Sequence, residues 1–193
     1  MKISNRDALI IVDVQNDFCP GGSLPAPHGD KVASVLADAA ARFAQRGGRV
    51  AATQDWHPEG HASFKEQGGP WPVHCVQGSH GAAFHSNLNL PKGTLVVQKG
   101  SDPKVDAYSG FIDSDLETRL RNAGVQRVFV GGLVTEFCVF HTVKDAVEKG
   151  FETYVLTDAI DAVNVHPGDG GRAIEEMKAL GAHPTTVAEM LAE

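Results

Sequence analysis

The sequence predicts a three-layer α/β fold, a parallel sheet with helices on both faces, and three observations carry that prediction. Short β-branched runs alternate with stretches whose apolar residues recur at helical spacing. The runs are apolar almost without interruption, as suits strands covered on both faces. Glycines stand just past the helical stretches, where a chain leaves a helix. In order, strands are expected at Ala8–Val14, Arg49–Gln54, Thr94–Lys99, Arg127–Gly132 and Glu152–Leu156, and Thr185–Val187 can supply a short last one. Helices are expected at Lys31–Gln45, Leu116–Asn122, Glu136–Lys149 and Arg172–Leu180, stopping near Gly47, Gly124, Gly150 and Gly181. Ser114, with Glu117 three residues on, has the form of a capping box for the second helix. A length of 193 residues fits one domain, residues 1–193.

The composition excludes several function classes. A net charge of -7 leaves no basic surface to neutralise phosphates, so neither nucleic acid nor an anionic membrane is an expected partner. The apolar run Ala8 to Val12 stops at Asp13, far short of a signal-peptide core or a membrane span, and a cytoplasmic protein is expected. Cys19, Cys75 and Cys138 are too few and too widely spaced for a disulfide framework or a C-x-x-C motif. Homo-oligomerisation is left open.

One connection breaks the alternation. Asp55 to Pro91 is far longer than an ordinary strand-to-helix loop and carries both tryptophans and five of the nine histidines. Open α/β sheets bind ligands at the carboxyl ends of their strands, so the polar residues there are the candidates. Asp13 follows the first strand, Asp55 and His57 the second, and Lys99 ends the third. After the fourth, Thr135 is a candidate N-cap that places Cys138 in the first helical turn, where the helix dipole favours a thiolate. An acid, a lysine and a cysteine in one crevice can attack a carbonyl carbon. Asp13 would take the thiol proton, Lys99 would hold both groups by its charge, and the N–H groups of Val134 and Cys138 would form an oxyanion hole. Cys19 and Cys75 are expected to be inert, since neither begins a helix.

Several segments then coincide with one pattern. Asp-Val-Gln-Asn-Asp-Phe at 13–18, Asp-Trp-His-Pro at 55–58 followed by His61, Ser63 and Phe64, and Trp-Pro-x-His-Cys-Val at 71–76 lie in the first half. Lys-Gly-x-Asp-Pro at 99–103, Tyr-Ser-Gly-Phe at 108–111 and Gly-Leu-x-Thr-x-x-Cys-Val at 132–139 follow. In this order they resemble the isochorismatase-like cysteine hydrolases, within them the nicotinamidase/pyrazinamidase group. The resemblance implies a six-stranded, Rossmann-like parallel sheet, the triad Asp13, Lys99 and Cys138, and a cis peptide between Leu133 and Val134. It implies a divalent metal on Asp55, His57 and His74 that meets the substrate's ring nitrogen, and the hydrolysis of nicotinamide, a small-molecule amide, to nicotinate and ammonia.

Asp55 and His57, two apart in an extended segment, point the same way, and His74 can return from the far end of the loop. A carboxylate with imidazoles suits Zn, Fe or Mn about equally. His61 is undecided between ligand and bystander. Phe18, Trp71 and Tyr108 are the expected ring pocket. Two departures flank the nucleophile: Glu136 where the group usually carries Asp, and Val134 where Ala is common. The alternatives are a hydrolase of another small amide or carbamoyl compound, which Asp55, His57 and His74 disfavour, and a binding module, which has no use for the acid, lysine and cysteine together.

Overall fold

A computed structural model describes residues 1–192. Six strands, β1 (Asp7–Val12), β2 (Arg49–Asp55), β3 (Leu95–Lys99), β4 (Arg127–Leu133), β5 (Glu152–Asp161) and β6 (His183–Thr185), form one sheet in the order β3-β2-β1-β4-β5-β6. Every adjacent pair is parallel. Alternate residues of β1 feed two cores. Leu9 and Ile11 pack with Val32, Leu36 and Phe43 of α1 (Gly29–Gln45) and with Val187 and Met190 of α5 (Val187–Met190). Ala8, Ile10 and Val12 pack with Leu116 and Leu120 of α2 (Leu116–Asn122), Val143 of α3 (Phe140–Glu148) and Met177 of α4 (Asp169–Ala179). All of β1 is buried, which is why it reads as unbroken apolar sequence.

This strand order reverses direction between β1 and β4, and there a crevice opens at the carboxyl ends of the strands. The two strands approach so closely that a Cβ on Gly132 would stand 2.1 Å from the Val12 carbonyl oxygen. Only glycine fits there.

Local details depart from the sequence reading. β1 ends at Val12 instead of Val14, because Asp13 turns the chain out of the sheet at φ +48°. Ser114 forms no capping box: its hydroxyl donates to the Gly110 carbonyl, and Glu117 pairs with Lys149 at 2.8 Å. The capping box that does form is Thr186 with Glu189, which starts α5 and ends β6 at Thr185. No helix among the described residues is long and apolar enough to cross a membrane.

Candidate active site

The register of the sheet assembles the first part of the site. Asp55 and Lys99 are direct cross-strand neighbours on β2 and β3, and Lys99 Nζ reaches Asp55 Oδ1 at 2.5 Å. Lys99 is completely buried. Its protons are directed at Asp55 Oδ1, the Ala107 carbonyl at 2.9 Å and Cys138 Sγ at 3.7 Å. Asp13 Oδ2 is also 2.9 Å away but off the donor axes, so this buried carboxylate oxygen has no well-directed hydrogen bond. The other oxygen of Asp13 is held by Thr53, whose hydroxyl donates to Oδ1 at 2.6 Å.

Cys138 arrives from the opposite side of the crevice. The chain passes a cis Leu133–Val134 peptide, as the resemblance implies, and enters one wide turn over Thr135–Val139 in which Val139 N–H donates to Val134 O five residues back. No side chain caps this turn, and its first position is preceded by Val134, so Thr135 is not an N-cap. Cys138 is buried on it, with Sγ and carboxylate oxygens of Asp13 and Asp55 all within 4.8 Å of one another.

Burial dominates the electrostatics. It pushes the Cys138 thiol well above its ordinary value, against the Lys99 charge and against the pull toward thiolate expected of a helix start. It also raises Asp13. For Lys99 the burial penalty is outweighed by the two carboxylates, which keep it an ammonium ion. For Asp55 burial is outweighed by Lys99 and by the His57 hydrogen bond, which hold the carboxyl below its usual range. The site therefore rests as thiol and ammonium, with Asp13 and Cys138 separated by a short proton path.

The second part of the site adjoins the first through Asp55, whose Oδ2 faces His57 Nε2 at 3.4 Å and His74 Nε2 at 3.9 Å. His57 Nδ1 donates to the Gly100 carbonyl at 3.0 Å and His74 Nδ1 to the Pro72 carbonyl at 2.8 Å. A carbonyl only accepts, so both rings present Nε2 inward, the arrangement in which outer hydrogen bonds aim imidazoles at a metal. The three ligand atoms lie within 4.8 Å of one another, and this mixed carboxylate and imidazole set fits Zn, Fe or Mn. His74 is brought back by a bridge in which His57 N–H donates to Cys75 O and Gln77 N–H to His57 O. His61 differs. Its Nδ1 accepts from Ser63 and its Nε2–H donates to the Val105 carbonyl at 3.1 Å, so neither nitrogen is free, and the ring stacks on His57 at 4.1 Å.

The cavity beside Cys138 is lined by the expected Phe18, Trp71, Tyr108 and Val134. Trp71 Nε1 donates to Tyr108 Oη at 2.9 Å, joining two loops over it, and burial lifts the Tyr108 phenol to about 12. Sequence reasoning missed Leu24, Phe137 and Val163 in the same wall, the Ala107 carbonyl, Thr53, and Gln15. Gln15 acts as a missing strand partner: its amide receives Asp55 N–H at 2.8 Å and donates to Asp55 O at 2.8 Å. Thr53 and Gln15 were in principle legible, as buried polar residues in apolar surroundings that must find partners. Cys19 and Cys75 are buried thiols, and burial lifts the Cys19 thiol to about 11 and the Cys75 thiol well above its ordinary value.

The isochorismatase domain model matches residues 7–189 of the chain. Across 94% of its length the chain is 39% identical to the nicotinamidase of Escherichia coli, of which it covers 95%. Among solved structures it is similar to the pyrazinamidase of Pyrococcus horikoshii in complex with zinc, with TM-score 0.89 and 46% identity over 94% of this chain and 99% of that one. It is also similar to PnC1 from L. infantum in complex with nicotinate, with TM-score 0.90 and 37% identity over 97% of this chain and 96% of that one.

Proposed function

The chain belongs to the isochorismatase family, and we propose that within it this protein hydrolyses the amide of nicotinamide, and of pyrazinamide, to the acid and ammonia through a thioester on Cys138. The observation that carries this reading is the buried Lys99, which joins a cysteine and an ion-paired aspartate on one side to an Asp–His–His cluster on the other.

The residues act in sequence. Asp13 accepts the Cys138 proton as Sγ bonds to the carboxamide carbon, and burial, which raises Asp13, makes its carboxylate a stronger base than a solvated one. Lys99 stays protonated and offsets the negative charge that passes between Asp13 and Cys138. The N–H groups of Val134 and Cys138 receive the developing oxyanion, an interaction typically worth about 3 to 4 kcal/mol in the transition state. Asp13 returns its proton to the leaving nitrogen, ammonia departs, and the thioester remains. Asp13 then deprotonates a water, whose oxygen attacks the thioester carbon, and that proton returns to the Cys138 sulfur as the C–S bond breaks; the acid formed loses the other water proton to solvent and leaves as nicotinate. Phe18, Trp71 and Tyr108 enclose the ring. Asp55, His57 and His74 would hold a divalent ion, which would supply Lewis-acid chemistry beside the ring. The protein would work in the cytosol on a freely diffusing small amide.

The test is ammonia release by the metal-loaded protein from nicotinamide and from benzamide, which lacks the ring nitrogen. Nicotinamide should be favoured by about 10- to 1,000-fold in kcat/KM, since an unmet polar partner in a closed site costs roughly 1 to 4 kcal/mol. Quenching during turnover should leave a nicotinoyl mass on Cys138. Equal turnover of both amides, or the mass on Cys19 or Cys75, would overturn this reading.

A further inference from the structure

The lining of the cavity includes Val163, which lies beyond the end of β5 in no regular element. Packing does little to fix the segment that follows, because Asn164 to Gly168 are exposed. Hydrogen bonds do so instead: His166 N–H to Asp169 Oδ2 at 2.7 Å and the Arg172 guanidinium to the Pro167 carbonyl at 3.1 Å hold its far end, and two more hold Asn164. The Asn164 N–H donates to Glu136 Oε1 at 2.6 Å, and Asn164 Oδ1 accepts the Gly170 N–H at 3.0 Å in the first turn of α4. Between them Asn164 is held at φ +48°. Glu136 lies two residues before Cys138 on the same wide turn, so one element carries the sulfur and also anchors the residue that follows Val163 of the pocket lining. Its second oxygen, Oε2, is buried with no donor. A buried carboxylate oxygen left unpaired is destabilising, and no step of the mechanism uses it.

We propose that Glu136 is a specificity-determining positioning residue: through the Asn164 N–H it holds Val163 against the cavity and so limits which ring-substituted amides can enter. This rests on the reading that an aromatic amide occupies the cavity. The hydrogen bond is the strap, Val163 is the surface the substrate meets, and the two act in series. Loss of the strap lets Val163 retreat, so that an extra ring methyl finds room.

The experiment measures kcat/KM for nicotinamide and for nicotinamides carrying one methyl at ring position 5 or 6. A methyl that a closed wall rejects is discriminated by about 10- to 200-fold. Wild type should show discrimination of that order for at least one analogue. Glu136→Ala should lower that ratio by about 10-fold. Glu136→Gln, which keeps an acceptor of the same length, should retain the wild-type ratio. Val163→Ala should relax the ratio as well, and adding Glu136→Ala to it should change nothing further, because residues acting in series are not additive. If Glu136→Ala proves poorly folded, Glu136→Met removes the acceptor while keeping length. The proposal is overturned if wild type accepts both methyl analogues as well as nicotinamide. It is overturned equally if Glu136→Ala or Glu136→Met slows all substrates alike, or if its effect multiplies with that of Val163→Ala. Wild-type protein that releases no ammonia from nicotinamide would instead refute the reading of the site itself.

Discussion

Thr53 Oγ1 donates to Asp13 Oδ1 at 2.6 Å, and the Asp13 N–H returns to the same hydroxyl at 3.2 Å. This reciprocal pair locks a carboxylate that stands where the chain leaves the sheet at positive φ, and it leaves Oδ2 as the oxygen without a directed donor. Thr53→Val is close in shape but donates nothing. The expected outcome is a fall of about 10-fold in kcat with KM for nicotinamide little changed, and recovery in Thr53→Ser, measured by steady-state ammonia release. A Thr53→Ser as impaired as Thr53→Val would show that packing of the methyl, not the hydroxyl, matters.

Lys99 is the only cation in contact with two buried carboxylates among the described residues. Lys99→Met leaves Asp13 and Asp55 buried without it, and removing one partner of a buried ion pair costs about 3 to 5 kcal/mol. Urea denaturation at pH 7 should show a loss of that order. Without Lys99 both carboxylates become easier to protonate in the folded state than in the unfolded one, so the deficit should shrink as pH falls toward about 5. A deficit that is constant with pH would trace the loss to packing.

The two inward-facing imidazoles and the doubly engaged His61 make different predictions for metal. His57→Ala and His74→Ala should each bind zinc about 10-fold or more weakly, while His61→Ala should keep its zinc through dialysis against chelator at a level that removes it from the other two. Metal content by elemental analysis reads this without reference to activity. Zinc lost equally from all three variants would make His61 a ligand after rearrangement.

Glu136 couples stability to pH. Burial raises its carboxyl above the ordinary value, so the fold favours the neutral acid and is penalised once pH exceeds that of the unfolded chain's carboxyl. Glu136→Gln should therefore raise Tm at pH 7. The gain should vanish below about pH 4, where the wild-type side chain is protonated in both states. Thermal melts at the two pH values decide it, and a gain independent of pH would assign it to packing or hydrogen bonding.

Much of this protein is legible without coordinates, for reasons that are local. Unbroken apolar runs such as Leu9 to Val12 mark buried strands, and Gly47, Gly124, Gly150 and Gly181 follow the ends of helices where they are expected. Asp13, Asp55, Lys99 and Cys138 stand out because each is a polar or reactive residue at a strand's end or just after it, where side chains leave the sheet for the crevice. Where local signals competed, the reading erred. Ser114 and Glu117 have the right spacing for a capping box, but the Gly110 carbonyl, four residues before Ser114, and Lys149, 32 residues beyond Glu117, win those groups. At Cys138 the pull toward thiolate expected of a helix start is opposed by burial, which raises the thiol, and no local pattern reports that burial. What only the tertiary structure decided is which groups meet: that β2 and β3 in register set Lys99 against Asp55, that Thr53 holds Asp13, that His61 is turned away from the ligand cluster, and that Glu136 reaches Asn164. The sequence by itself determined the periodicity, the strand ends and the chemistry available there. Hydrogen bonds and ion pairs between residues 28 to 44 positions apart depend on register, burial and the path of loops, and these are set by packing of the whole chain and not by any segment of it.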